Sequence, residues 1–138
     1  MFGATANRAS AYARVGVETG VSTADPHKLI LMLYDGALMA IAASKQAISS
    51  KNVPNKGKAI SKAIEIIASG LDASLDHEAG GELSARLSSL YDYMIDRLLY
   101  ANIHDNTAAL DEVAELLGGL RESWEAIGPQ VRTGAAPE

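Results

Sequence analysis

The chain contains no cysteine, which excludes a disulfide scaffold, a thiolate zinc site and thiol catalysis. Aromatic residues are scarce: one Trp, one Phe and five Tyr make up 5% of 138 residues, although 48% are hydrophobic. The apolar content is therefore aliphatic. Basic charge is not in excess either. A net charge of −5, from 12 basic and 17 acidic side chains, disfavours general phosphate-backbone binding, so nucleic acid is not expected as a partner. The N-terminus, Met1 to Arg8, lacks a basic region followed by an apolar run of signal-peptide length. The most hydrophobic stretch, Leu29 to Ala43, is interrupted by Asp35-Gly36 and falls short of the roughly 18 apolar residues of a membrane span. A cytoplasmic protein without membrane insertion is the expectation, and the missing cysteine suits a reducing compartment.

What is present suffices for a core. A chain of this length makes one domain, 1–138, and buries ~68% of its unfolded surface. Charge is unevenly spread: residues 1–62 carry 8 basic and 3 acidic groups, residues 63–138 carry 4 and 14. Two halves that pack together and compensate explain this more simply than a separate basic binding face.

Residues 1–24 are rich in Ala, Gly, Ser and Thr and read as a mobile segment or lid with at most a short helix around Ala9 to Arg14. Asp25-Pro26 is a strong helix start, because Asp caps and proline loses nothing at the first helical position. A first helix is predicted over 26–51, interrupted by Asn52-Val53-Pro54-Asn55. A second spans 56–79 on the stripe Ile60, Ile64, Ile67, Leu71, Leu75, and Gly80-Gly81 ends it. A third covers 82–102 on Leu83, Leu87, Leu90, Met94, Leu98 and Ala101. A fourth covers 108–127 on Leu110, Val113, Leu117, Leu120, Trp124 and Ile127, before Gly128-Pro129 and a flexible tail at 129–138. Four periodic segments with short turns and no strand signal predict an all-α, antiparallel four-helix bundle.

The first and third helices carry more apolar surface than a bundle needs. Met32, Tyr34 and Met39 lie off the main stripe of the first, and Tyr91, Ile95 and Leu99 off that of the third. They are either core, with both helices central, or an exposed groove for a partner segment. Catalytic chemistry has no assembled signature. His27, His77 and His104 are scattered, there is no Glu-x-x-His pair, and neither a phosphate loop nor a nucleophile elbow occurs. No cofactor and no metal are expected. Gly118-Gly119 inside the fourth helix points to close packing, a kink, or a thin wall beside a groove.

The segments Ala11-Tyr12, Val17-Glu18, Ala24 to Gly36 (ADPHKLILMLYDG), Leu90 to Asn102 (LYDYMIDRLLYAN) and Glu112-Val113 through Trp124 resemble, in order, the FliS-type flagellin export chaperones. The resemblance covers about residues 9 to 127. It implies a cytoplasmic helical bundle, not an enzyme, that binds the disordered C-terminal region of flagellin. Such a protein prevents premature polymerisation and aids delivery to the flagellar type III export apparatus. It also implies that an N-terminal lid carrying Tyr12, with Val15 and Val17, lies over the groove of the free protein. Met32, Tyr34, Met39, Tyr91, Ile95 and Leu99 are the candidate groove residues. Asp35, Arg97 and Asn102 belong to the matching motifs, and Asp35 and Arg97 are candidates to pair with each other or to satisfy a turn. Two alternatives are a histidine phosphotransfer bundle using His77 or His104, and a structural helical homo-oligomer whose apolar face meets copies of itself.

Overall fold

Asp25 and Pro26 open the first helix as their chemistry dictates. The computed structural model describes residues 25–128; Tyr12, Val15, Val17 and the predicted tail lie outside the described residues. Helix α1 spans Pro26–Ser49, and the Asp25 carboxylate accepts from the Lys28 N–H at 3.2 Å. The chain turns at Lys51 in the left-handed region (φ 56°), so α1 is slightly shorter than predicted. Asn52 then caps α2, Val53–Glu65, by accepting from the Asn55 N–H at 3.1 Å.

Beyond Glu65 the second helix departs from the prediction. One π-helical turn, Ile66–Leu71, is followed by a 3-10 turn, Asp72–Ser74, and Leu75 leaves the helix with ψ 141°. Asp76 caps a new helix, α3, His77–His104, accepting from the Glu78 and Ala79 N–H groups at 3.1 Å each. The second helix therefore ends before the predicted Ala79. The break expected at Gly80-Gly81 does occur: Gly81, at φ 53° and ψ −124°, interrupts α3 after its first turn, a conformation that Cβ-bearing residues resist. Asp105 closes α3 in the left-handed region, and Asn106 caps α4, Thr107–Ala126, by accepting from the Ala109 N–H at 2.8 Å.

No strand occurs among the described residues, and the chain folds as the predicted all-α four-helix bundle. α1 packs against α2 and α4, and α3 packs against α4 and the α2 segment, which leaves α1 and α3 on a diagonal. The core takes Leu33, Ala37 and Ile41 from α1, with Ile60, Ile67 and Leu71 from the α2 segment. Met94 and Leu98 enter it from α3, and Leu110, Val113 and Leu117 from α4. Leu83, predicted on the stripe of the third helix, is exposed in the kinked first turns. By length and composition α1 could cross a membrane, longer than the apolar run suggested, but half of that stretch is buried inside the bundle. It is the core helix of this fold.

The two oppositely charged halves compensate, as expected, through Lys45–Asp111 at 2.8 Å and Lys56–Asp105 at 2.6 Å. Each such surface pair contributes ~0–1 kcal/mol. Gly118 and Gly119 have nothing within 4 Å of an added Cβ, so close packing is not their reason. Gly70, by contrast, lies where a Cβ would sit 2.8 Å from Leu33 Cδ2, and Leu33 is buried. Gly70→Ala is therefore expected to destabilise the chain by about 1–3 kcal/mol through overpacking. Gly119→Ala should stabilise it by about 0.5–1 kcal/mol. Urea denaturation of the two variants measures both, and effects of the same sign would contradict this packing.

Candidate partner-binding site

An apolar cavity lies at the end of the bundle where α1 begins and α4 finishes. Its volume is about 180 Å³, and it is walled by Pro26, His27, Ile30, Leu75, Leu87 and Trp124, with Tyr34 and Tyr91 also lining it. The leucines come from the connection into α3 and from α3 itself, so the break after Ser74 helps to shape the site.

Two polar arrangements hold this end together. The His27 ring stacks on Trp124, with centroids 5.1 Å apart and planes 18° from parallel. His27 Nε2 donates to the Trp124 carbonyl at 2.8 Å, and Trp124 Nε1 donates back to the His27 carbonyl at 2.9 Å. A Cβ on Gly128 would overlap the His27 ring, so glycine there lets the chain pass over it. Deeper in, the Tyr34 and Tyr91 hydroxyls share a hydrogen bond of 2.9 Å across the diagonal of the bundle. Burial pushes both phenols above the ordinary tyrosine range, Tyr91 the more strongly. The Tyr34 hydroxyl and the Asp72 carboxylate add to the effect on Tyr91.

The candidate residues fall into three environments. Tyr34 and Tyr91 are buried and touch the cavity. Met32 is half-buried and Met39 is 72% exposed. Gly36, on their face of α1, would bring a Cβ to 3.3 Å from Ile66, so Met32 and Met39 flank the seam between α1 and the α2 segment. Ile95 packs half-buried against the core and Leu99 is 46% exposed. Because α1 and α3 are diagonal, their outward side chains look to different corners and do not wall one shared groove.

Asp35 and Arg97 do not pair, which corrects that expectation. Asp35 holds Arg121 of α4 in two contacts, Nε–Oδ1 at 2.5 Å and Nη2–Oδ2 at 3.3 Å. Arg97 donates to Glu112 at 2.9 Å, and Tyr93 donates to the same carboxylate. The Tyr93 hydroxyl, and then Arg97, hold Glu112 below the usual carboxylate range. Each pair runs to α4, which adjoins both α1 and α3: Asp35 of α1 reaches Arg121 there, and Arg97 of α3 reaches Glu112. The Asn102 carbonyl accepts from Lys56 Nζ at 2.9 Å, tying α3 to α2.

His27 and Trp124 escaped sequence reasoning as a pair because 97 positions separate them, beyond any local periodicity. The lone Trp, one of so few aromatics, was the available signal. His77 opens α3 on the surface, and His104 tilts against the Tyr100 ring at 4.4 Å. Among the described residues no cluster of three His, Cys, Asp or Glu side chains is placed to hold a metal.

Fold and site thus define a small all-α bundle whose distinguishing features are an apolar cavity walled by both aliphatic and aromatic side chains and exposed apolar side chains. The family model "Flagellar protein FliS" matches residues 8–131, and the chain belongs to the FliS family. It is 48% identical over 126 residues to the flagellar secretion chaperone FliS of Salmonella typhimurium, covering 91% of this chain and 93% of that protein. It is 45% identical over 116 residues to the flagellar secretion chaperone FliSB of Pseudomonas aeruginosa, covering 84% and 91%. The FliS of Bacillus subtilis is 38% identical over 108 residues, with 78% and 79% covered.

The tyrosine pair has an alkaline consequence. Folded-state values raised above the unfolded one contribute stability that is complete below about pH 10 and is lost as pH rises above it. Thermal melts followed by circular dichroism should be flat from neutral pH to about 9 and fall steeply beyond 10. Tyr91→Phe, which strands the Tyr34 hydroxyl, should cost about 1–2 kcal/mol, and the double variant with Tyr34→Phe should cost less. Additive losses would contradict the shared hydrogen bond.

Proposed function

We propose that this chain is a non-enzymatic cytoplasmic chaperone of flagellar secretion whose client is the disordered C-terminal region of flagellin. Membership of the FliS family over residues 8–131 carries the reading, joined to relatives named flagellar secretion chaperones across most of the chain. The chemistry is consistent with it. A disordered client must bury apolar side chains to offset the entropy of being ordered. Adaptable Met and aliphatic residues such as Met32, Met39, Ile95 and Leu99 suit such a surface. The cavity bounded by Tyr34 and Tyr91 is proposed to receive one large apolar side chain. The N-terminal segment with Tyr12, Val15 and Val17 is proposed as its cover in the free protein. Covering the client prevents premature polymerisation, and the complex then passes to the flagellar type III export apparatus. Asp35, Arg97 and Asn102 act as positioning residues through their cross-helix contacts.

Titration calorimetry of the full chain with a flagellin C-terminal fragment tests this. One-to-one binding at micromolar or tighter affinity is expected, and its absence at micromolar concentrations would end the proposal. Met39→Asp and Leu99→Asp, at exposed positions, should weaken binding by about tenfold or more while helicity is retained. Tyr91→Asp should instead unfold the bundle, because it places a charge in the core.

A further inference from the structure

The outward face of α3 carries a stripe that internal packing does not explain. Asp92, Asp96, Leu99 and Ile103 follow one another at steps of four, three and four residues, and so share one side of the helix. Ile103 is 75% exposed, and Asp92 and Asp96 are exposed as well. The two carboxylates stand one turn apart, a spacing at which like charges destabilise a helix. Neither has an ion-pair partner among the described residues. Nearby acids are neutralised: Glu82 by Arg86, Asp105 by Lys56 and Glu112 by Arg97. Beside the stripe stands Tyr100, its ring under the Arg97 guanidinium at 4.8 Å and against His104. Held from two sides, that ring forms a fixed wall.

The free protein thus carries two uncompensated features on one face, paired carboxylates and, one to two turns further on, exposed aliphatic surface. A single kind of occupant removes both. We infer that the outward face of α3, around Asp92, Asp96 and Ile103, docks a basic amphipathic helix of a partner protein, with two Lys or Arg one turn apart and aliphatic residues continuing the same face. Charge complementarity selects the basic end and suppresses acidic partners. The aliphatic end fixes register by burial of Ile103 against the partner, in the manner of a helix laid along an apolar strip. The inference goes beyond the flagellin reading, whose proposed residues do not include Asp92, Asp96 or Ile103. Leu99 borders both and is left unchanged in the test.

The experiment is fluorescence anisotropy of the full chain with a synthetic helical peptide of about five turns. One face of the peptide carries two lysines one turn apart and then two leucines. A control peptide has glutamate in place of each lysine. The lysine peptide is expected to bind about tenfold or more tightly than the control, with an affinity that falls as salt rises. Asp92→Asn with Asp96→Asn should remove most of that preference and most of the salt dependence, and Ile103→Ser should weaken binding about fivefold or more. Circular dichroism verifies that both variants keep their helicity. Flagellin-fragment binding should stay within about twofold of the unaltered chain, so a failure of the flagellin proposal would show separately. Equal binding of the two peptides, or binding indifferent to the variants, overturns the inference. So does a homodimer, seen by light scattering, that dissociates on Ile103→Ser, since the face would then belong to a second copy of the chain.

Discussion

Burying two phenol hydroxyls in an aliphatic interior is costly unless they meet, and in this bundle they meet across the diagonal. Tyr34 and Tyr91 belong to helices that do not pack side by side, so their hydrogen bond spans the core. It sets the depth of α1 relative to α3 more sharply than interchangeable Leu and Ile contacts could, because a slip of one turn would strand both hydroxyls. Other features follow from that register. Leu33 faces the π turn where Gly70 leaves it room, Asp35 reaches Arg121, and the cavity opens between the tyrosines and the end of α4.

Much of the fold was legible because helix starts are local chemistry. Asp25-Pro26 and Asn106 act as caps within four residues of their partners, and the stripes of the second and fourth helices largely map to buried or half-buried positions. The end of the second helix was placed too late for an equally local reason, although the break at Gly81 was foreseen. Gly80-Gly81 is a conspicuous stop signal, whereas Asp76 in an acidic run resembles solvated surface until its two backbone donors are seen. The π turn has no periodic signature at all. It lets the apolar spacing continue through Leu71 and Leu75 while the backbone is already leaving the helix.

The site was only partly legible, for a geometric reason. Helical wheels report which side chains share a face of one helix, but not which helices are neighbours. Met39 and Leu99 are both outward, as an excess of apolar surface suggests, yet bundle order puts them at separate corners. The same blindness suggested a pair between Asp35 and Arg97. The proposed client surface, divided between corners, suits an extended client that travels around the bundle better than a single slot would. It also leaves room for the outward face of α3 to serve a different partner.

The reciprocal clasp between His27 and Trp124 bears on how the chain is made as well as on how it rests. Synthesis proceeds from the N-terminus, so α1, the most apolar helix, emerges first. Its neighbour α4 emerges last, and the stack and both hydrogen bonds must wait for Trp124. Until then the apolar face of α1 is only partly covered by α2, and the cavity lacks a wall. The nascent chain cannot complete this site piecemeal. A truncated or stalled product ending before Trp124 would carry sticky aliphatic surface without the finished cavity, and would itself need protection from aggregation.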